Sequence, residues 1–148
     1  MKALLPLLLV IAGIVVALQL YIRFAPVDVD RWHVRPSVEG DGTADIEESG
    51  GFKALRSYEA PPSEVLSQLA AIAGVTPRTR VIAGTPGDGW MTFETRSLIW
   101  GFPDYTSVTA EPTAEGTELA IHGRLRFGGS DLGVNRQRIE SWLAALDG

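Results

Sequence analysis

Thr117-Glu118-Leu119-Ala120-Ile121-His122-Gly123-Arg124-Leu125-Arg126-Phe127 is the stretch on which the fold turns. Leu119, Ile121, Gly123, Leu125 and Phe127 fall on one side of an extended chain, and Glu118, Ala120, His122, Arg124 and Arg126 on the other. A period of two marks a β-strand with one face turned to a core and one polar face.

Working back from this strand, residues 112–116 form a turn and 105–111 a weaker strand, with Gly101-Phe102-Pro103 breaking the chain before it. Residues 90–99 alternate again: Met91 and Phe93 point one way, Thr92, Glu94 and Arg96 the other. A Gly-rich turn at 84–89 joins them to a short strand at 78–83. Before that, Pro61-Pro62-Ser63 opens a helix with Ser63 as its expected N-cap. Val65, Leu66, Leu69, Ile72 and Ala73 share one of its faces, and Gly74 ends it. Residues 52–58 read as a strand. Forward of the decisive stretch, 131–146 form an amphipathic helix with Leu132, Ile139, Trp142, Leu143 and Leu146 in one stripe. The order is strand, helix, four strands, helix. Consecutive strands joined by tight turns give an antiparallel sheet with both helices on one face, an α+β class whose element order matches TBP-like or helix-grip sandwiches.

The N-terminal third is of another kind. Residues 3–22 carry no charge, and only Pro6 and Gln19 interrupt them. About 20 apolar residues cross the roughly 30 Å hydrocarbon layer, so 1–24 read as one transmembrane helix, with Tyr21 and Arg23 at its interface end. A cleaved signal peptide would show a shorter core and a small-x-small site, which Leu18-Gln19-Leu20-Tyr21 does not offer. Lys2 precedes the span while Arg23, Arg31 and Arg35 follow it. The short basic start resembles a signal anchor and points the domain to the periplasm. Residues 25–51, punctuated by Pro26, Pro36 and several glycines and acidic at Asp41, Asp45, Glu47 and Glu48, read as a tether. Within it Trp32-His33 is an apolar island suited to the domain surface or to lipid headgroups. Residues 52–148 form the domain.

Composition removes several function classes. A net charge of -5 argues against nucleic acid as a partner. The absence of cysteine excludes disulfides, thiolate nucleophiles and Cys-ligated zinc, and two histidines are few for a metal site. No nucleophile elbow, zinc-protease helix or phosphate loop is present, and no cofactor is expected.

What remains is polar groups in unusual places. Arg96, Arg124 and Arg126 lie on the polar sheet face, which reads either as a solvated surface with cross-strand pairs or as a concave surface for an acidic ligand, lipid headgroup or partner strand. Asn135 falls inside the apolar stripe of the last helix and Arg136 on its edge. A buried amide or guanidinium demands a specific partner, either a backbone carbonyl or a carboxylate such as Asp104. Gly128-Gly129 suits a tight turn with positive φ, Gly133 a close approach to the sheet, and Ser130 or Asp131 can cap the following helix. A turn of this kind can also hold an anion, for which Asp131 would compete.

The run Gly123-Arg124-Leu125-Arg126-Phe127-Gly128-Gly129-Ser130-Asp131-Leu132-Gly133-Val134-Asn135-Arg136-Gln137-Arg138 resembles the signature of the family called domain of unknown function 1499. Thr95-Arg96-Ser97 and Phe102-Pro103-Asp104-Tyr105 resemble its other recurring stretch. The resemblance spans residue 52 to the end. It implies a bacterial or plastid protein, often exported or membrane-tethered, with no established activity.

Three functions follow as expectations. The first is a binding or accessory module on the bacterial inner membrane, its partner a lipid, an anionic ligand or a membrane protein complex, using a cluster of Asp104, Arg126 and Asn135. The second is a small hydrolase with Asp104 or Glu94 as acid–base group and Arg96 and Arg126 clamping an anionic substrate. The third is a structural membrane subunit packing through Ala12, Gly13 and Ala17.

Overall fold

A computed structural model describes residues 4–40 and 42–148. The Lys2 charge, the start of the apolar run at Ala3, and Asp41 lie outside the described residues. Helix α1 (Leu4–Phe24) is long and apolar enough to cross a membrane. Its side chains are exposed almost throughout, and Ile22 is its buried residue. A one-turn helix, α2 (Val29–Trp32), follows, and Asp28 accepts from the Arg31 N–H at its start.

Six strands form one antiparallel sheet: β1 (Ala44–Glu48), β2 (Gly51–Tyr58), β3 (Thr79–Thr85), β4 (Trp90–Arg96), β5 (Pro103–Thr113) and β6 (Gly116–Leu125), ordered β1-β2-β6-β5-β4-β3. Helices α3 (Pro62–Val75) and α4 (Val134–Leu146) cover one face. The α+β sheet with helices on its apolar face is therefore present as expected, with one strand more. β1 lies in the stretch that reads as tether. Its Ala-Asp-Ile-Glu-Glu carries a single large apolar residue, as suits a charged edge strand.

Register explains which face is covered. Met91 pairs with Val108, Val108 with Ile121 and Ile121 with Ala54, so these four side chains line one side. Val65, Leu66, Leu69, Ile139, Trp142 and Leu143 pack on them. Trp142 meets Phe93 edge-on at 5.5 Å and donates its indole N–H to Thr76 Oγ1 at 2.8 Å, so its polar atom is satisfied in the core.

Several boundaries differ from the reading. Helix α3 begins at Pro62 with Pro61 at the N-cap position and no side-chain cap, so Ser63 is not the cap. Two prolines preset the φ of the first turn, and Pro62 has no N–H to satisfy. The helix runs past Gly74 to Val75. The turn after β3 is a 3-10 turn (Pro86–Asp88) closed by a capping box between Thr85 and Asp88. Helix α4 starts three residues later than expected, because Leu132 and Gly133 take positive φ (54° and 80°). Leu132 thereby leaves the apolar stripe and is 91% exposed. Of the glycine pair only Gly128 has a positive φ (106°). A Cβ on Gly133 would meet nothing within 4 Å, so Gly133 serves conformation rather than close approach.

Close approach is instead the role of Gly123. A Cβ there would lie 2.9 Å from Asn135 Oδ1 and 3.0 Å from Ile139 Cδ1. Gly123→Val should destabilise the fold by about 1–3 kcal/mol by overpacking, against a β-propensity gain of at most about 1 kcal/mol. Denaturant midpoints of the two proteins check this, and a variant as stable as the parent would refute it.

The second face of the sheet is not left to solvent. Residues 25–38, expected to be a tether, run across it as a strap. Trp32 stacks on Tyr105 with ring centroids 4.3 Å apart, and His33 on Trp90 at 3.6 Å. The Trp32-His33 island thus packs back on the domain.

Candidate functional site

The sequence-expected site residues divide between the two faces of the sheet. On the strap face, their donors are taken by main-chain carbonyls of the N-terminal segment. Arg96 Nη1 donates to the carbonyls of Arg23 (3.0 Å), Ile22 (3.4 Å) and Gly101 (3.1 Å). Arg124 Nη2 donates to the Trp32 carbonyl at 2.8 Å and to Ser107 Oγ at 2.9 Å. Burial lowers the pKa of Arg124 from its ordinary value, and Glu48 opposes that shift. Arg126 Nη1 reaches the Pro26 carbonyl at 2.9 Å and Tyr105 Oη at 3.3 Å. Glu94, 1% exposed, lies between Arg80 Nε (2.7 Å) and Arg96 Nη2 (2.8 Å). His33 Nδ1 is 2.8 Å from Thr92 Oγ1, and burial, then the charge of Arg35, lower its pKa. The strap therefore fills the part of this face around Trp32 and His33, while a recess of about 390 Å³ lined by Arg23, Arg80, Glu94 and Arg96 remains beside β3.

On the helix face, at the end of the sheet where β4 stops and β5 begins, Asp104 and Asn135 share one partner. Arg138, on the second turn of α4, donates Nη2 to Asp104 Oδ2 at 3.1 Å and Nη1 to Asn135 Oδ1 at 2.7 Å. Burial raises the pKa of Asp104, opposed by the Arg138 charge and hydrogen bond. Asn135 is fully buried, and its Nδ2 has no hydrogen-bond partner among the described residues. Asp131 accepts the backbone N–H groups of Gly133 (3.1 Å) and Asn135 (2.9 Å), and Ser130 Oγ that of Leu132 (3.2 Å). Burial would raise the pKa of Asp131, but those N–H groups outweigh it and hold its carboxyl below the ordinary value. Asp131 thus caps an N–H of the helix, although Gly133 holds the N-cap position, whereas Ser130 bonds a residue that precedes the helix.

Two sequence expectations fail here. Asp104, Arg126 and Asn135 do not form one cluster, since Arg126 lies across the sheet from the other two. Glu94 and Asp104, the two carboxylates offered singly for acid–base work, sit on opposite faces of the sheet. Nor is Arg136 the partner of Asp104. It is exposed, bonded to Glu140 and Glu47, with its guanidinium 5.6 Å from the centre of the Phe52 ring. Arg136 and Arg138 flank the same stripe on opposite sides, and the sheet edge beneath each decides its partner.

Around Asp104 and Arg138 opens a cleft of about 530 Å³ between the end of α3, the end of β4 and the start of α4. Arg78, Thr95, Arg96, Gln137 and Ser141 also line it. Sequence reasoning missed Arg78, whose φ of 60° is unusual for a residue with a side chain. Its Nε donates to the Arg96 carbonyl at 2.9 Å, and its own carbonyl accepts the Arg96 N–H at 3.1 Å. Its two terminal nitrogens make no hydrogen bond among the described residues. A second hollow, of about 390 Å³, shares Asp104, Ser97 and Val134 with the first and reaches Phe127 and Leu132. No group of His, Cys, Asp and Glu suited to a metal ion occurs among the described residues.

Comparison with curated proteins returned no match. Among solved structures, a protein of Rhodobacter sphaeroides is similar at 12% identity and a TM-score of 0.52, over 71% of this chain and 95% of that one. A protein of Mesorhizobium loti matches at 14% identity and a TM-score of 0.49, over 66% and 96%. CalU16 from Micromonospora echinospora matches at 15% and 0.48, over 72% and 76%. At such identities the likeness concerns the fold alone. Residues 43–146 match the family described as "Protein of unknown function (DUF1499)", and the chain belongs to that family.

Proposed function

We propose that this protein is a membrane-anchored binding module that takes an anionic group in the cleft beside Asp104 and Arg138. In this reading α1 is the anchor in a bacterial inner membrane and the domain lies on the periplasmic side. One observation carries the binding assignment. Arg78 is held at the cleft in a conformation that costs about 1–3 kcal/mol for a residue with a Cβ, while its terminal N–H groups point to no protein acceptor. The cleft sets Arg78 and Arg138 beside the single carboxylate Asp104, in a chain whose net charge is -5. Such a local excess of positive charge favours phosphate or carboxylate ligands.

Arg78→Gly separates ligand binding from folding, because glycine accepts the backbone angle that arginine resists. The variant should fold at least as stably as the parent. Its affinity for glycerol phosphate, titrated against the full-length protein in nanodiscs, should fall roughly tenfold, the loss of about one charged hydrogen bond. Equal affinities in parent and variant would remove the cleft as the binding site.

A further inference from the structure

Residues 97–102 form a closed turn at the membrane-facing end that the anchor reading implies. The Ser97 N–H donates to the Phe102 carbonyl (2.9 Å), the Phe102 N–H to Ser97 Oγ (2.9 Å) and the Gly101 N–H to the Ser97 carbonyl (3.2 Å). The turn is thus fixed by its own hydrogen bonds, yet its tip presents Leu98 and Ile99, each 71% exposed, with Trp100 partly exposed beside them. Three consecutive large apolar side chains on a rigid tip are an unusual thing to hold in water.

What lies against the turn is the end of α1. Gln19 Nε2 donates to the Ile99 carbonyl at 2.9 Å, and the Arg23 side chain passes 3.5 Å from where a Gly101 Cβ would stand. Gln19 is the polar interruption near the end of the apolar run, and an amide in hydrocarbon needs an acceptor. The turn supplies one. Gln19 precedes the end of α1 by five residues, about 7 Å along the axis at 1.5 Å per residue. A bond from that depth to Ile99 brings the tip level with the last turns of the span. Leu132, at the next turn of the same end, and Val134 add exposed apolar surface along the second hollow.

We infer that the Leu98-Ile99-Trp100 turn is a second membrane contact, its apolar tip buried in the headgroup–acyl boundary beside α1, with the lipid bilayer as its partner. This rests on α1 being the anchor. The tip and the anchor together fix the tilt of the domain, so that the arginine cleft, which Leu98 also lines, opens toward the headgroups. Trp100 suits this level, since indole rings collect at the interface.

The chain has no cysteine, so single introduced cysteines give unique labels. Nitroxides at Ile11→Cys in α1, Ile99→Cys at the tip and Glu115→Cys in the β5–β6 turn at the far end would be compared. The full chain is placed in vesicles of phosphatidylethanolamine and phosphatidylglycerol, and depth is read from oxygen against nickel-chelate accessibility. All three positions are exposed, so folding is not at issue. The inference expects the Ile11 label in the acyl region, the Ile99 label about 5–10 Å below the headgroups and the Glu115 label in water. An Ile11 label in lipid with an Ile99 label in water overturns the second contact and leaves the anchor standing. An Ile11 label in water overturns the anchor and the inference with it.

Discussion

Trp32→Ala should lower the stability of the domain by about 3–4 kcal/mol, a large share of the roughly 5–15 kcal/mol that holds a domain of this size together. Trp32 is 8% exposed, although it lies in a segment whose composition reads as a linker. Its ring covers Tyr105 and takes the Arg124 guanidinium 5.4 Å from its centre, and its carbonyl receives the Arg124 and Ser107 donors. Truncation removes the aromatic surface and wets Arg124 and Ser107, which are arranged for a dry neighbour. Trp32→Phe, which keeps an aromatic ring over Tyr105, should recover most of the loss. Trypsin provides an independent reading, since Arg31 and Arg35 flank the site: cleavage there should accelerate in the alanine variant and stay slow in the parent. If the alanine variant unfolds at the parent's denaturant midpoint and resists trypsin equally, the strap is not packed on the sheet.

Arg138→Met should cost about 3 kcal/mol near neutral pH, and the loss should shrink in acid. The variant leaves Asp104 desolvated and without its cation, which is the costly way to break a buried pair. The sign follows from proton linkage. Burial already raises the folded pKa of Asp104 above its unfolded value of 3.8, so the folded chain binds more protons than the unfolded one in the window above 3.8. Stability from this group therefore falls as pH rises through that window and recovers as Asp104 is protonated. Without Arg138 the folded pKa moves higher still, and the window widens toward neutrality. Denaturant midpoints measured at about pH 5 and about pH 7.5 should thus diverge more in Arg138→Met than in the parent. The double variant Arg138→Met with Asp104→Asn should lose that extra slope. A pH-independent deficit would assign the cost to packing alone.

These two residues also mark the limits of sequence reasoning. The alternation in residues 117–125 and around Met91 and Phe93 is a direct imprint of one buried sheet face, and the register bears it out pair by pair, whereas Arg126 and Phe127, expected in the same strand, lie beyond its end. Asn135 inside an apolar stripe announced a specific partner, and Asp131 announced a cap. The identity of the partner was hidden, because Arg138 lies just outside the stripe and its acceptor comes from a strand 34 residues away. The strap was hidden for another reason. Besides two stacked rings, the His33–Thr92 hydrogen bond and the Arg35–Glu111 ion pair, the strap and the end of α1 are held through the carbonyl groups of Ile22, Arg23, Pro26 and Trp32, and every residue type carries a carbonyl. Arginines on the sheet signal the donors, but nothing in the chain's letters marks the acceptors. Arg78 escaped notice because a backbone angle leaves no trace in a residue type that does not favour it.

The strand order has a consequence for how the chain is made. β6, the last strand to be synthesised, sits between β2 and β5 and joins the two halves of the sheet. Until residues 116–125 emerge, the β1–β2 hairpin and the β3–β4–β5 ribbon have no shared neighbour, and each keeps an unpaired inner edge. The α1 segment precedes all six strands and emerges long before that seam can close. A nascent chain inserted through α1 would thus wait at the membrane as two open ribbons, vulnerable to pairing with a second copy, until the ribosome delivers the strand that closes both edges at once.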